Sequence, residues 1–114
     1  MKNYTLAEYL LMESGSKYHN VKTVVDGITF DSKAESRRWD ELKLLQKAGL
    51  IQGFARQPSF LLPGGIRYRP DFIVCDARGT IYVEDVKGVI TQAFALKRKL
   101  WAATYPWMEL RIID

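Results

Sequence analysis

The run from Arg69 to Gly88 limits what this chain can become more than any other stretch. It reads Arg69-Pro70-Asp71-Phe72-Ile73-Val74-Cys75, then Asp76-Ala77-Arg78-Gly79-Thr80, then Ile81-Tyr82-Val83-Glu84-Asp85-Val86-Lys87-Gly88. Two apolar runs around a turn containing Asp and Gly predict a β-hairpin. Asp71 stands near the start of the first run; Asp85 and Lys87 stand at the end of the second. Antiparallel pairing brings those two ends side by side. Side chains alternate faces along a strand, so Asp85 and Lys87 share one face and Glu84 takes the other. Two acids and a lysine at one sheet edge are the parts that metal-assisted hydrolysis of a phosphate ester requires.

The rest of the chain supplies a frame for that edge. Thr5-Leu6-Ala7-Glu8 has the form of a capping box and opens a short helix over residues 5–13, and Ser14-Gly15-Ser16 reads as a joint. Residues 1–16 are thus expected as an appendage and residues 17–114 as the main domain. Residues 21–30 predict a hairpin turning at Asp26-Gly27. Residues 31–48 predict a helix, with Ser32-Lys33-Ala34-Glu35 as its capping box and Gly49 as its stop. Two adjoining stripes, Ala34/Arg38/Leu42/Leu45 and Glu35/Trp39/Leu42, would face the sheet. Three strands follow, over residues 53–62, 67–75 and 80–87, with Gln57-Pro58 marking an edge or bulge in the first. Thr91 caps a helix running to residue 104, with Ala93, Leu96, Leu100 and Ala103 as its buried stripe and Lys97, Arg98 and Lys99 projecting elsewhere. Met108, Leu110 and Ile112 alternate as a last strand. The third strand, second helix and last strand form a β-α-β unit, which makes those strands parallel.

Composition narrows the partner. The 114 residues suit one domain with one core, and 47% are hydrophobic. The formal net charge is +4, which suits a polyanion. Cys75 is the one cysteine, so no disulfide forms within the chain. With His19 the only histidine, a zinc site of those ligand types is not expected. No apolar run approaches the length of a membrane span, and the N-terminus lacks a signal-peptide core. The expectation is a soluble cytoplasmic protein.

Phosphodiester hydrolysis needs an activated water, neutralised charge and a stabilised leaving oxygen, and one or two Mg²⁺ ions on carboxylates supply all three. Asp71 and Asp85 are the candidate ligands, and the Val86 carbonyl can add an oxygen. Lys87 would orient the water or offset phosphate charge. Spacing alone leaves Glu35 either as a helix cap worth roughly 1 kcal/mol or as a further ligand. The bland alternative is an edge salt bridge from Lys87 to Asp71 or Asp85, worth little. Arg67, Arg69, Arg38 and Lys97 would rim the site for a nucleic-acid backbone, as would Arg37, Arg98 and Lys99. Against that stands an ordinary solvated basic face. Tyr18, Tyr68 and Trp101 read as core residues ahead of base-stacking ones.

Pro70-Asp71 with Asp85-Val86-Lys87 resembles the motif of the PD-(D/E)xK nuclease superfamily. Asp31 to Glu35, Gln57-Pro58, Arg67 to Phe72 and Val83 to Gly88 together resemble a small phage and prophage family of endonuclease-like proteins of unknown function (DUF1064-type). More distantly the chain is similar to the nuclease subunit of Tn7-type transposases and to archaeal Holliday-junction resolvases. The resemblance covers nearly the whole chain from Lys17. It implies an α/β fold with a restriction-endonuclease-like αβββαβ core, a mixed central sheet flanked by helices. It implies Asp71 and Asp85 as metal ligands, Lys87 as the catalytic lysine, Glu35 as the first-helix acid and Gln57 as a supporting residue near the site. The doubled acid Glu84-Asp85 departs from the pattern, and a bulge would exchange their roles. The function so implied is a Mg²⁺-dependent DNA endonuclease, with Mn²⁺ as a substitute, cutting branched DNA in phage recombination, replication or DNA processing. Cutting two strands favours a homodimer. The rivals are a non-catalytic DNA-binding module on the same fold and a phage protein that inhibits a host protein.

Overall fold

Asp26 and Gly27 both adopt positive φ, 53° and 74°. That is the geometry of a tight hairpin turn matched to strand twist, and it closes β1 (Thr23–Val25) onto β2 (Ile28–Phe30). The computed structural model describes residues 21–114. The helix expected over residues 5–13, the joint after it, Tyr18 and His19 lie outside the described residues.

Helix α1 (Lys33–Lys47) starts where the sequence predicts, with the Ser32 hydroxyl accepting from the Glu35 N–H at 3.2 Å. It ends in a Schellman motif: the Gly49 N–H donates to Gln46 O and the Leu50 N–H to Leu45 O, both at 3.0 Å. Gly49 takes φ 76° there, which a Cβ would strain.

The central sheet has the order β3-β6-β7-β8: β3 (Ile51–Arg56), β6 (Phe72–Asp76), β7 (Ile81–Val86) and β8 (Leu110–Ile113). The first three are antiparallel neighbours, and β8 runs parallel to β7, joined to it by helix α2 (Gln92–Thr104). The sheet is therefore mixed, and the β-α-β unit is present as expected.

Two expected strands divide. The run over residues 53–62 is β3 followed by a separate β4 (Phe60–Leu62), and the run over residues 67–75 is β5 (Ile66–Tyr68) followed by β6. β4 and β5 pair only with each other, as a two-stranded ribbon. The break has a backbone cause. Gln57 turns at φ 47°, and Pro58 and Pro70 carry no N–H for a ladder. The breaks are tied together, because the Gln57 N–H donates to Asp71 O at 3.0 Å.

Each face of the sheet has its own core. Phe72, Val74 and Tyr82 pack with Phe30, Leu42 and Ile51 on the α1 side, with Trp39 and Leu45 against them. Val83 packs with Leu62, Ile66, Tyr68, Ala93, Phe94 and Trp101 on the α2 side. Each such side chain contributes about 1.5–3 kcal/mol on burial. The α2 stripe differs from the expected one. Ala93, Phe94, Lys97 and Trp101 are buried, Leu96 and Leu100 are half-buried, and Ala103 is exposed. Leu96 and Leu100 pack against that core at its margin, and only Ala103 loses its expected place, because the bulk of Phe94 and Trp101 takes the centre of the buried face. Lys97, one turn from each, is carried inward with them, against the expectation that it projects outward.

Candidate active site

The β6–β7 hairpin pairs Phe72 with Glu84, so Asp71 meets the end of β7. The Val86 N–H donates to Asp71 Oδ2 at 2.7 Å, which locks one carboxyl oxygen to the backbone beside Asp85. The Asp71 and Asp85 carboxyls lie within hydrogen-bonding reach of each other. Asp85 is 3% exposed. Its Oδ2 accepts from the Tyr68 hydroxyl, and its Oδ1 lies 3.5 Å from Lys87 Nζ. The Lys87 N–H donates to Ile113 O at 2.9 Å, so β8 holds the lysine's backbone. Its ammonium sits 4.9 Å from the centre of the Phe94 ring, a favourable contact with the ring's negative face.

The electrostatics follow from burying these acids together. Burial, then the charge and hydrogen bond of Asp85, then Glu35, push the Asp71 carboxyl up to about 9, against the opposing Val86 N–H. Without countercharge, Asp71 holds on to its proton well above the usual carboxylate range. Glu35, in the first turn of α1, is raised as well. Burial is the main cause, followed by the charges of Asp31 and Asp85, while Lys87 and Arg56 act the other way. Glu35 feels the charges of Asp85 and Lys87 while its N–H completes the helix cap, but it does not join the two aspartates in a three-acid metal-binding group among the described residues, so the expected third ligand is not formed here.

Glu84 points to the opposite layer, as strand alternation predicts. It is fully buried and gripped by Arg38, with Nε at 2.8 Å from Oε1 and Nη2 at 2.6 Å from Oε2. The doubled acid is thereby resolved: Asp85 faces Asp71 and Lys87, and Glu84 anchors α1. This also engages Arg38, expected at the phosphate rim. Of the other rim residues, Arg67, Arg69, Arg37, Arg98, Lys99 and Gln57 are exposed, and Lys97 is buried. Tyr68 is a contributor that the sequence pattern does not announce: it reads there as core first and base-stacking second, not as a partner of the acids. It is core, at 2% exposed, but its hydroxyl reaches the acid. The signal was there in β5, where Tyr68 alternates with Arg67 and so faces inward next to Pro70-Asp71.

The donor set suits a hard divalent cation. Two adjoining carboxyls, one of them retaining a proton for want of countercharge, are relieved by a cation, and oxygen ligands are what Mg²⁺ takes. Among the described residues no group of three or more His, Cys, Asp or Glu side chains could hold a metal ion. The carboxylate pair on offer is Asp71 with Asp85, and Mg²⁺ is commonly held by one or two carboxylates while keeping several waters.

Among the described residues no helix is long and apolar enough to cross a membrane. The family described as "Protein of unknown function (DUF1064)" matches residues 15–114. No curated protein and no solved structure matches the chain.

Proposed function

This chain belongs to the DUF1064 family, and we propose that it is a metal-dependent DNA endonuclease with a restriction-endonuclease-like core of the PD-(D/E)xK superfamily. The observation that carries this reading is the meeting of Asp71, Asp85 and Lys87 at one end of the hairpin, with the Asp71 carboxyl raised by its burial beside Asp85 and the lysine 3.5 Å from Asp85. Mg²⁺, or Mn²⁺ in its place, held by Asp71, Asp85 and the Val86 carbonyl would polarise the phosphodiester and acidify the attacking water.

The chain's own groups do the rest. Asp71 would release its proton to solvent when a cation supplies the missing countercharge. The Lys87 ammonium, steadied over the Phe94 ring, offsets charge on the scissile phosphate and orients the water for in-line attack. Glu35, its carboxyl raised by burial and by the charges of Asp31 and Asp85, accepts a proton from that water. Exposed Arg67 and Arg69 lie on the segment leading into Asp71 and would track the backbone of the substrate. A domain of this size has little surface for reading bases, which favours branched or junction DNA over a sequence site. The setting is phage recombination, replication or DNA processing in the host cytoplasm, by a homodimer.

The test is cleavage of single-stranded, duplex, flap and four-way-junction DNA with Mg²⁺ or Mn²⁺ against EDTA. The expected result is metal-dependent cutting that falls by at least about a hundredfold in Asp85→Ala and in Lys87→Ala. Binding without cutting, indifferent to metal, would replace the enzyme with a DNA-binding module. Neither binding nor cutting would point instead to a protein partner.

A further inference from the structure

We infer that Tyr68 is a positioning residue that decides which oxygen of Asp85 is presented for coordination, with Lys97 behind it. This rests on the nuclease reading and deepens it. The Tyr68 hydroxyl donates to Asp85 Oδ2, while Oδ1 faces the Lys87 ammonium at 3.5 Å. A carboxylate rotating freely about its last bond exchanges its oxygens. One engaged on Oδ2 by a buried phenol cannot, and it offers Oδ1 on the Lys87 side.

Tyr68 is itself held. Its ring meets Trp101 edge-on at 5.8 Å and is buried at 2% exposure. The Lys97 ammonium, on a residue 9% exposed, stands 5.0 Å from the centre of the Tyr68 ring. A cation over a phenol draws electron density from it and makes its O–H a stronger donor. Burying a lysine costs stability unless its charge is used, and α2 spends a core position on one. Lys97, Tyr68 and Asp85 therefore form a relay of orientation from helix to site, through the ribbon strand β5. Groups that orient a metal's carboxylate commonly set affinity by roughly 10–100-fold.

The experiment is Mn²⁺ binding to the full chain by calorimetry, beside the Mn²⁺ concentration giving half-maximal DNA cleavage. Tyr68→Phe keeps the ring and its packing and removes only the hydroxyl. It should weaken Mn²⁺ binding by roughly tenfold and raise the half-maximal concentration in parallel. Lys97→Met, which keeps the bulk, should shift both in the same direction by a few-fold. Tyr105→Phe is the structural control. Its ring packs against the same core but its hydroxyl bond, to Leu61 O at 2.6 Å, is exposed and remote from the acids, so its loss should leave Mn²⁺ affinity unchanged. Wild-type binding matched by Tyr68→Phe would overturn the role of Tyr68 and leave the nuclease reading standing. An equal loss in Tyr105→Phe would reduce it to core stability. A wild type that neither binds Mn²⁺ nor cuts DNA would overturn both.

Discussion

Asp71 carries a proton that its sequence neighbours do not announce. Pro-Asp is a common dipeptide, and it is the depth of the site, then Asp85 across from it and then Glu35, that hold that carboxyl up to about 9. Between the ordinary value of 3.8 and about 9, the folded chain binds a proton that the unfolded chain has released. Stability of the metal-free protein therefore falls as pH rises through that window, by up to about 1.4 kcal/mol per pH unit. Melting temperatures in EDTA should decline from about pH 5.5 to about pH 8.5, and Asp71→Asn should flatten that slope. A wild type that melts higher at the alkaline end would mean that Asp71 is ionised throughout. Lys97 is the opposite case of legibility. Its spacing from Phe94 and Trp101 put it on their stripe, but a lysine's expected preference for solvent outweighed that spacing in the sequence reading.

At the scale of elements, boundaries governed by local chemistry were readable. Ser32, Gly49, Asp26-Gly27 and Thr91 act through their own side chains or dihedrals and sit where they were expected. The ribbon β4–β5 was not readable. Its separation depends on Gln57 adopting φ 47°, a conformation that nothing about glutamine encodes, and on pairing across to Asp71. The Arg38–Glu84 clamp between α1 and β7 was hidden for the same reason, being a meeting of distant residues. Glu84 is fully buried, with a guanidinium on both oxygens. Arg38→Met leaves that charge unanswered and should cost about 3–5 kcal/mol, read from urea denaturation. Arg38→Met with Glu84→Leu should recover most of the loss. A double variant as unstable as the single one would show that the arginine stabilises by packing instead.

For the molecule as a whole, charge is the quantity that bears on a DNA partner. The formal net charge is +4, and Arg67 and Arg69 stand exposed on the approach to Asp71. With Ca²⁺ replacing Mg²⁺ to suppress cutting, DNA affinity should fall steeply with salt. Arg67→Ala and Arg69→Ala should each flatten the log–log slope by about 1. Unchanged slopes would place the phosphate contacts elsewhere. The backward-facing Glu84 has a consequence for descent. Adjacent codons specify the acid that anchors a helix and the acid proposed to do chemistry, yet alternation sends them into separate layers of the molecule. A lineage can therefore lose its reaction at Asp85 while Glu84 keeps the same shape standing. Silenced descendants would persist as folded proteins, open to recruitment for other work.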